Sequence, residues 1–331
     1  MTVFEFSGVT VYSYGLAVAL AAAAALALMA YLGKKQGLKA GTVSLFAVFA
    51  VPLAVLCARI GYCLVSLDWF LERGVAFFLA FSRGGYMLYG AAAGVLIAAL
   101  LTARVTRQSA ARILDTAAAP AALLIALGRM AEPLVGLGYG HNIEEWFDPF
   151  MEKSMIEWED PSLLYRFPLG AQDYYGDWNF AIFLMEALTA LLICLLLLGM
   201  KRRREGGKVL LLLLLYAACQ IVWESMRMDA VLRWGFVRVS QLISALAIGA
   251  VLVICWLNLP GKDRKPARLA GRFGLVLLCC GVVIAMEFAL EQKIEFLTWM
   301  RMDVCYAVMI LSSLGLIFTV LPLWKRAYPK Q

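Results

Sequence analysis

Polar residues are scarce in this chain of 331 residues, and charged side chains make up only 16% of it. A soluble domain of this length needs more polar surface, which excludes a cytosolic globular enzyme, a nucleic-acid-binding protein and a disordered segment. There is one histidine, His141, and the eight cysteines form no CxxC motif, so a zinc site or a disulfide framework is not expected. Internal repeats are also missing, and an inverted-repeat transporter therefore has no positive support.

What the chain has in abundance is long apolar segments. Each is long enough to cross about 30 Å of hydrocarbon as a helix, and each is too apolar on every face to alternate as a barrel strand. The first lacks a basic leader and a small-residue cleavage site, so we expect it to remain as a span. The nine segments cover residues 11–32, 42–67, 86–103, 113–136, 179–200, 209–226, 240–257, 273–290 and 304–323. They predict an all-α integral membrane protein with about nine transmembrane helices.

Basic residues are concentrated in alternate connectors. Segments 34–39, 104–112, 201–208, 261–272 and the tail 324–330 hold 19 Lys or Arg residues and only two acids. The amino-terminal end and the other four connectors hold nine basic and 16 acidic residues. Because Lys and Arg are retained on the cytoplasmic side, this pattern predicts an external amino terminus and a cytoplasmic carboxyl terminus.

Two external connectors are unusual. Residues 137–178 form the only long connector, which carries nine acids and several aromatic residues and is expected to be an interfacial cap. Residues 75–81, VAFFLAF, are apolar but too short to cross, and they are expected to lie in the outer interface or to re-enter the membrane.

Ionisable residues inside the spans are the most informative ones, because each costs about 2.5 to 3.5 kcal/mol on insertion scales and needs a partner. Two groupings follow helical spacing. Arg129 and Glu132 are three residues apart, just before Pro133, and a polar stripe runs along one face of a later helix. The intramembrane ionisable residues are Arg59, Asp115, Arg129, Glu132, Glu186, Glu224 and Glu287, and the stripe consists of Tyr216, Gln220, Glu224 and Arg227.

Two interpretations of these charges stay open. They are either interhelical ion pairs that fix packing, for example Arg129 with Asp115 or Glu224, or the lining of one cavity. Since both groupings lie in the outward halves of their helices, such a cavity would open toward the outer leaflet. A cationic cavity at that depth suits an anionic phospholipid head group, and Arg offers the bidentate geometry that a phosphate prefers.

Several short motifs follow one another along residues 10–258. They are YSYG with Tyr14 and Gly15, ARIGY with Arg59, RGGYMLYGAAAG with Tyr89, ILDTAAAP with Asp115, GRMAEPLVGLGYG with Arg129, YAACQIVWESMR, and SQLIS with Gln241 and Ser244. Their order resembles that of the prolipoprotein diacylglyceryl transferase family. These bacterial enzymes move a diacylglyceryl group from phosphatidylglycerol to the lipobox cysteine of a preprolipoprotein.

The resemblance implies a seven-helix transferase-like core at residues 1–258, followed by a basic connector and two additional spans at 259–331. It implies location in the bacterial cytoplasmic membrane, phosphatidylglycerol and a preprolipoprotein signal peptide as partners, and no metal or other cofactor. The implied catalytic residues are Arg129, Tyr89 and Gln220. The implied substrate-binding residues are Tyr14, Arg59, Asp115, Glu132, Tyr216, Glu224, Arg227 and Gln241.

The departures from the family pattern lie at positions where the resemblance implies a role in the reaction. Tyr89 stands where the family has a His, Gln220 stands where it has one of two arginines, and Glu132 replaces an Asn. A neutral amide in place of a guanidinium about 4 Å from a phosphate forfeits on the order of 4 kcal/mol, or roughly a thousandfold in rate. The alternative is therefore a catalytically altered relative that binds phospholipid or a partner protein. A secondary transporter is a third hypothesis, which only the intramembrane carboxylates support.

Overall fold

The computed structural model describes residues 2–6, 9–81, 84–143, 146, 169–201, 203–229, 232–234, 237–293 and 299–330. Eleven α-helices lie in these ranges, and nine of them are long and apolar enough to cross a membrane. The nine are α1 (Ser13–Lys35), α2 (Thr42–Val65), α5 (Leu88–Thr106), α6 (Ala110–Ala131), α7 (Ile182–Gly199), α8 (Gly207–Met226), α9 (Val239–Leu257), α10 (Pro266–Leu290) and α11 (Met302–Ala327). Two short helices, α3 (Leu67–Arg73) and α4 (Val75–Leu79), follow α2. The predicted all-α membrane fold with nine spans is confirmed for the described residues.

Both ends of α6 are set by residues that the sequence places there. Ser109 precedes α6, and its hydroxyl accepts a hydrogen bond from the backbone N–H of Arg112, as an N-cap does. At the other end of α6, Pro133 lies in a single 3-10 turn, Glu132–Val135, which closes on Gly136 in the left-handed conformation (φ 71°). This turn stops α6 and places Glu132 beside Arg129.

Short strands add caps that the helical pattern does not predict. β1 (Thr2–Phe6) pairs with β2 (Val9–Tyr12), β5 (Trp178–Ala181) lies between β3 (Tyr139–Asn142) and β4 (Gly170–Gln172), and β6 (Arg233–Trp234) pairs with β7 (Val237–Arg238), all antiparallel. β2, β5 and β7 lead directly into α1, α7 and α9, and β3 follows α6. Since successive spans alternate in direction, all three sheets lie at one end of the bundle.

Helix α8 is at the centre of the bundle, between α6 and α7 on one side and α9 and α11 on the other. Of its most apolar 18 residues 67% are buried, a larger fraction than in any other described span. Helix α11 follows it along its length. Ser313 donates to the Ala218 carbonyl oxygen at 2.5 Å, and the Trp324 indole donates to the Gly207 carbonyl oxygen at 2.8 Å. The two spans beyond residue 258 are therefore part of one bundle with the first seven, and the domain division at that residue stays a prediction.

Helices α2 and α5 approach closely because glycine removes a side chain at their crossing. A Cβ on Gly90 would lie 2.5 Å from the Cys57 carbonyl oxygen, and one on Gly94 would lie even closer to that of Leu53. The glycines of the RGGYMLYGAAAG motif at these two positions are therefore explained by packing.

Candidate functional site

Five ionisable side chains meet where α6 and α8 end and α7 begins. We call Arg129, Glu132, Glu186, Arg227 and Asp229 the charged cluster. Arg129 Nη1 pairs with Glu132, and its Nε lies 3.4 Å from Glu186 Oε2. Arg227 Nη1 lies 2.9 Å from Glu186 Oε2 and 3.0 Å from Glu132 Oε2, and its Nη2 lies 2.6 Å from Asp229 Oδ2. Glu186 thus bridges the two arginines.

The charged cluster holds two guanidinium groups and three carboxyl groups. Each guanidinium pairs with more than one of the carboxyl groups, so the described contacts favour the ion-pair interpretation of these residues. The reason is burial, because an unpaired guanidinium at this depth would cost several kcal/mol. The Arg129 side chain is 14% exposed and that of Glu132 10%, whereas Glu186 is fully enclosed. Arg129 and Glu132 therefore form the accessible edge of the cluster.

Asp229 is fixed by the loop that leaves α6. Its Oδ2 accepts a hydrogen bond from the Gly138 N–H at 2.8 Å, and both of its oxygens accept from Arg227. Gly138 has φ 87°, and a Cβ there would lie 2.6 Å from that of Phe183, so a larger residue is strained. Burial alone would raise the pKa of Asp229, but the hydrogen bonds from Arg227 and Gly138 outweigh it and lower the pKa below its ordinary value.

Three tyrosines lie near Arg129. Tyr216 accepts a hydrogen bond from Arg129 Nη2 at 3.3 Å. The Tyr14 hydroxyl is within electrostatic range of Glu132 and Arg129, and that of Tyr89 is within range of Tyr216 and Arg129. Tyr89 also shares a 2.5 Å hydrogen bond with the Ser244 hydroxyl. The structure thus brings together three tyrosines that are far apart in the sequence.

The polar stripe of α8 continues from the charged cluster into the bundle. Gln220 Nε2 donates to Glu224 Oε2 at 3.1 Å, and the two residues are 2% and 5% exposed. Gln220 Oε1 is buried and has no hydrogen-bond partner among the described residues. A buried amide oxygen of this kind costs free energy unless another group supplies a donor.

A second polar network holds the end of α8 from the other side. The Arg238 guanidinium donates to the carbonyl oxygen of Glu224, and to that of Arg227 at 3.2 Å, where a cation offsets the negative end of the helix dipole. Gln241 Nε2 donates to the Ile221 carbonyl oxygen at 3.0 Å and to Glu287 of α10. Glu287 Oε2 also lies 3.8 Å from Arg238 Nε. Helix α10 thus contributes a carboxylate that holds the residues positioning Glu224 and Arg227.

Two residues predicted to bind substrate, Arg59 and Asp115, make their hydrogen bonds away from both the charged cluster and the tyrosines near it. The Arg59 guanidinium donates to the carbonyl oxygens of residues 77, 78, 84 and 85 and ties α4 and the glycine turn to α2. Asp115 accepts from the backbone N–H groups of Gly206, Lys208 and Val209 at 2.9 to 3.0 Å, which caps α8 at the opposite end of the bundle. Substrate binding by either residue stays a prediction, and their contacts indicate a structural role.

The family model described as prolipoprotein diacylglyceryl transferase matches residues 1–257. The chain belongs to the prolipoprotein diacylglyceryl transferase family. Proteins named phosphatidylglycerol–prolipoprotein diacylglyceryl transferase are among its relatives. That of Symbiobacterium thermophilum is 29% identical over 79% of this chain and 92% of its own length, and that of Bacillus licheniformis is 24% identical over 79% and 94%. The relative from Listeria monocytogenes is 25% identical over 82% and 94%.

The transferase family match includes the charged cluster but ends before α10. Arg238 and Gln241 fall inside the matched residues, whereas their partner Glu287 falls outside them. The chain is a multi-pass membrane protein of this bacterial family, and two of its nine described spans, α10 and α11, lie beyond the match.

Sequence reasoning did not assign site roles to Glu186, Asp229, Arg238, Ser244 or Glu287. A signal existed for Glu186 and Glu287, because both are carboxylates inside predicted spans. Which arginine each of them meets depends on how α7 and α10 pack, and the sequence pattern does not contain that information. Ser244 follows Gln241 by three residues, so one helical face joins them, but only the structure shows Tyr89 opposite.

Proposed function

We propose that this chain transfers the diacylglyceryl group of phosphatidylglycerol to a cysteine thiol of a prolipoprotein. Membership of the prolipoprotein diacylglyceryl transferase family supports the reaction class. The observation that carries the assignment to this site is the position of Arg129. Its side chain is the most exposed of the charged cluster, it donates to the Tyr216 hydroxyl, and the Tyr14 and Tyr89 hydroxyls are within electrostatic range of it.

The reaction is a displacement at the glycerol carbon that bears the phosphate ester. The thiol sulfur attacks this carbon, an S–C bond forms, and the C–O bond to phosphate breaks. The electron pair of that bond leaves with glycerol phosphate, while the thiol loses its proton to a base. Negative charge therefore builds up on the phosphate in the transition state, and donors already in place there lower the barrier.

Arg129 binds the departing phosphate in this scheme. Its Nη2 contact to Tyr216 is long, 3.3 Å, so a phosphate oxygen replaces it without breaking a strong bond. Tyr89, Tyr14 and Gln220 donate to oxygens of the phosphate or of the glycerol. The Gln220–Glu224 pair extends this row of polar groups along α8.

Glu186 and Arg227 position Arg129 rather than contact the lipid. Glu186 is fully enclosed and ion-paired to both arginines, and Arg227 is held by Asp229. Such preformed pairs orient the Arg129 guanidinium before substrate arrives, so no reorganisation is needed during the reaction.

Glu132 is the candidate proton acceptor. A base is needed because Tyr89, with a reference pKa near 10, stands where the family has a histidine. Glu132 lies at the accessible edge of the charged cluster, 10% exposed, and replaces an asparagine of the family pattern. In Glu132→Gln we expect a lower kcat with little change in KM, because the base is removed while the phosphate site is kept.

The membrane orientation belongs to the same proposal. With the amino terminus outside, the charged cluster and the three sheets lie at the external surface, where a preprolipoprotein signal peptide emerges from the membrane. The basic connectors then lie in the cytoplasm.

The test is a transfer assay with the purified protein. It is incubated with phosphatidylglycerol labelled in its acyl chains and a peptide that carries a lipobox cysteine, and the thioether product is identified by mass spectrometry. The expected result is a labelled peptide together with free glycerol phosphate. Absence of product under conditions in which the Listeria monocytogenes relative turns over would contradict the proposed activity.

A catalytically altered relative is the second candidate, and the buried Gln220 at a family arginine position favours it. In that case native mass spectrometry detects retained phosphatidylglycerol while the assay detects no thioether. The double variant Tyr89→His with Gln220→Arg then gains measurable transfer. If the wild-type protein transfers the group and the double variant is no faster, the altered-relative hypothesis is wrong.

A further inference from the structure

A cleft lies at the end of the bundle opposite the charged cluster, where α9 ends, α10 begins and α11 ends. It opens to solvent, and the space within it that the centre of a water molecule can occupy is about 20 Å3. Its lining includes three arginines from two helices, Arg268 and Arg272 of α10 and Arg326 of α11, together with Trp256 of α9 and Asp263. We call it the arginine cleft. Three leucines, Leu259, Leu269 and Leu323, complete its lining.

The three guanidinium groups lack carboxylate partners at close range. Arg272 is close enough to Arg326 and Arg268 for mutual repulsion, and its Nη1 donates to the Thr319 carbonyl oxygen. Within the described ranges, no ion pair of 4.0 Å or less joins any of the three to an acid. Like charges gathered in one cleft are unfavourable unless an anion accompanies them.

The Trp256 indole supplies an independent observation. Its Nε1 is buried and has no hydrogen-bond partner among the residues that the structure describes. Buried indole N–H groups usually have a partner, and leaving one unsatisfied costs free energy. Trp256 lines the arginine cleft, so this unsatisfied donor lies near the three guanidinium groups, and the guanidinium groups are the donors suited to phosphate oxygens.

We propose that the arginine cleft binds the phosphate of an anionic phospholipid head group from the leaflet next to it. The cleft lies at the ends of membrane-spanning helices, where head groups are found, and its three leucines offer apolar contact to the part of the lipid next to the head group. Basic pockets between such helices are known to bind anionic head groups. A lipid held there links α9, within the family match, to α10 and α11 beyond it.

This site is separate from the proposed transferase site. It uses none of the residues of the charged cluster and lies at the other end of the helices. Its occupancy is therefore expected to be independent of turnover, and failure of one proposal leaves the other testable.

Photocrosslinking locates the lipid directly. The probe is a phosphatidylglycerol with a photoactivatable group close to its head group, incorporated with the full-length protein into lipid nanodiscs. Labelled peptides are then mapped by mass spectrometry. In the wild-type protein we expect label on peptides spanning residues 256–272, in addition to any near Arg129.

Variants test the donors one at a time. In Arg272→Gln, labelling of these peptides at limiting probe is expected to fall about fivefold, since one Arg near the surface contributes roughly that factor. In Trp256→Phe, which keeps the ring and removes the N–H, we expect a decrease of roughly threefold. Arg268 is exposed, so Arg268→Gln is not expected to disturb folding. A decrease in labelling in this variant too would show that the decreases in the other two do not come from a folding defect. The matched control is Lys34→Gln with Arg104→Gln, which removes two cations at the same end but outside the cleft.

Three outcomes would overturn the proposal. Equal labelling by a phosphatidylcholine probe, whose choline cation cancels the phosphate charge, would show that an anionic head group is not selected. An equal decrease in the Lys34/Arg104 control would show general surface attraction instead of a site. Displacement of the probe by millimolar inorganic phosphate, with no displacement by unlabelled phosphatidylglycerol, would assign the cleft to free phosphate.

Discussion

The charged cluster and the arginine cleft contain arginines at opposite ends of the same bundle, and the two sets of arginines differ in their ion pairing. In the charged cluster two buried arginines share three carboxylates, and every guanidinium has a partner from the chain itself. In the arginine cleft three guanidinium groups converge with no ion pair to a described acid, and two of them are exposed. Burial accounts for the difference, because Arg268 and Arg326 of the cleft are exposed, whereas Glu186 at the centre of the cluster is fully enclosed.

The comparison also indicates what each set of arginines does. Preformed ion pairs hold a guanidinium in one orientation, as chemistry at a single carbon requires. Unpaired interfacial arginines have spare donors, as binding of a head group requires. Substitutions at the two ends should therefore have separable effects on turnover and on lipid retention.

The largest expected effect is at Arg129. Arg129→Gln removes a charge about 4 Å from the bound phosphate, and we expect transfer to fall about a thousandfold. Arg129→Lys should recover only part of the rate, because an ammonium lacks the planar fork of donors. The matched change at the other end, Arg272→Gln, should leave the rate within about twofold. Similar losses in both variants would mean that the two ends are not functionally separate.

Glu186→Gln should have the next largest effect. The amide keeps the volume but removes the charge shared by Arg129 and Arg227, and hydrogen bonds to charged groups contribute about 1.5–3 kcal/mol. We expect transfer to fall roughly a hundredfold and the unfolding temperature in detergent to drop. Glu291→Gln breaks exposed pairs with Arg233 and Lys293 and serves as the control, with an effect below about 1 kcal/mol. An equally small effect in Glu186→Gln would contradict the bridging role.

Glu287→Gln tests whether α10 acts on the transferase site. Loss of this carboxylate loosens Arg238 and Gln241, which hold the end of α8, so we expect kcat to fall about tenfold while KM for lipid changes little. Glu287→Asp should recover part of the rate if the charge is what matters. Asp303→Asn, which removes an exposed pair with Arg301 in the same helical hairpin, is the control. Changes confined to thermal stability would indicate packing alone.

The smallest effect is expected for Asp229→Asn, measured as stability against pH. The pKa of Asp229 is lowered in the folded state, so its contribution is present above the ordinary value of about 3.9 and is lost as pH falls toward the lowered pKa. We expect a deficit of about 1 kcal/mol at pH 7 that shrinks below about pH 4. Thermal unfolding in detergent at the two pH values measures it. A deficit that stays constant would exclude the carboxylate charge as its source.

Much of the fold was predictable because the membrane imposes strict local rules. A helix must satisfy its own backbone hydrogen bonds in lipid, so runs of about 20 apolar residues predict the spans. Helical spacing likewise predicted that Arg129 and Glu132 would meet, and it placed Tyr216, Gln220 and Glu224 on one face. The bridge from Glu186 and the cap from Asp115 were not predictable, because both join residues of different helices.

The sequence by itself determined the nine described spans, the alternation of basic and acidic connectors, and the family to which residues 1–257 belong. Tertiary structure alone decided which charges pair with one another. It placed Glu186 between two arginines, and it gathered Arg268, Arg272 and Arg326 in one cleft with Trp256. Local spacing fixes the face of a helix on which a charge lies, whereas its energy depends on what another helix places within a few ångströms of it.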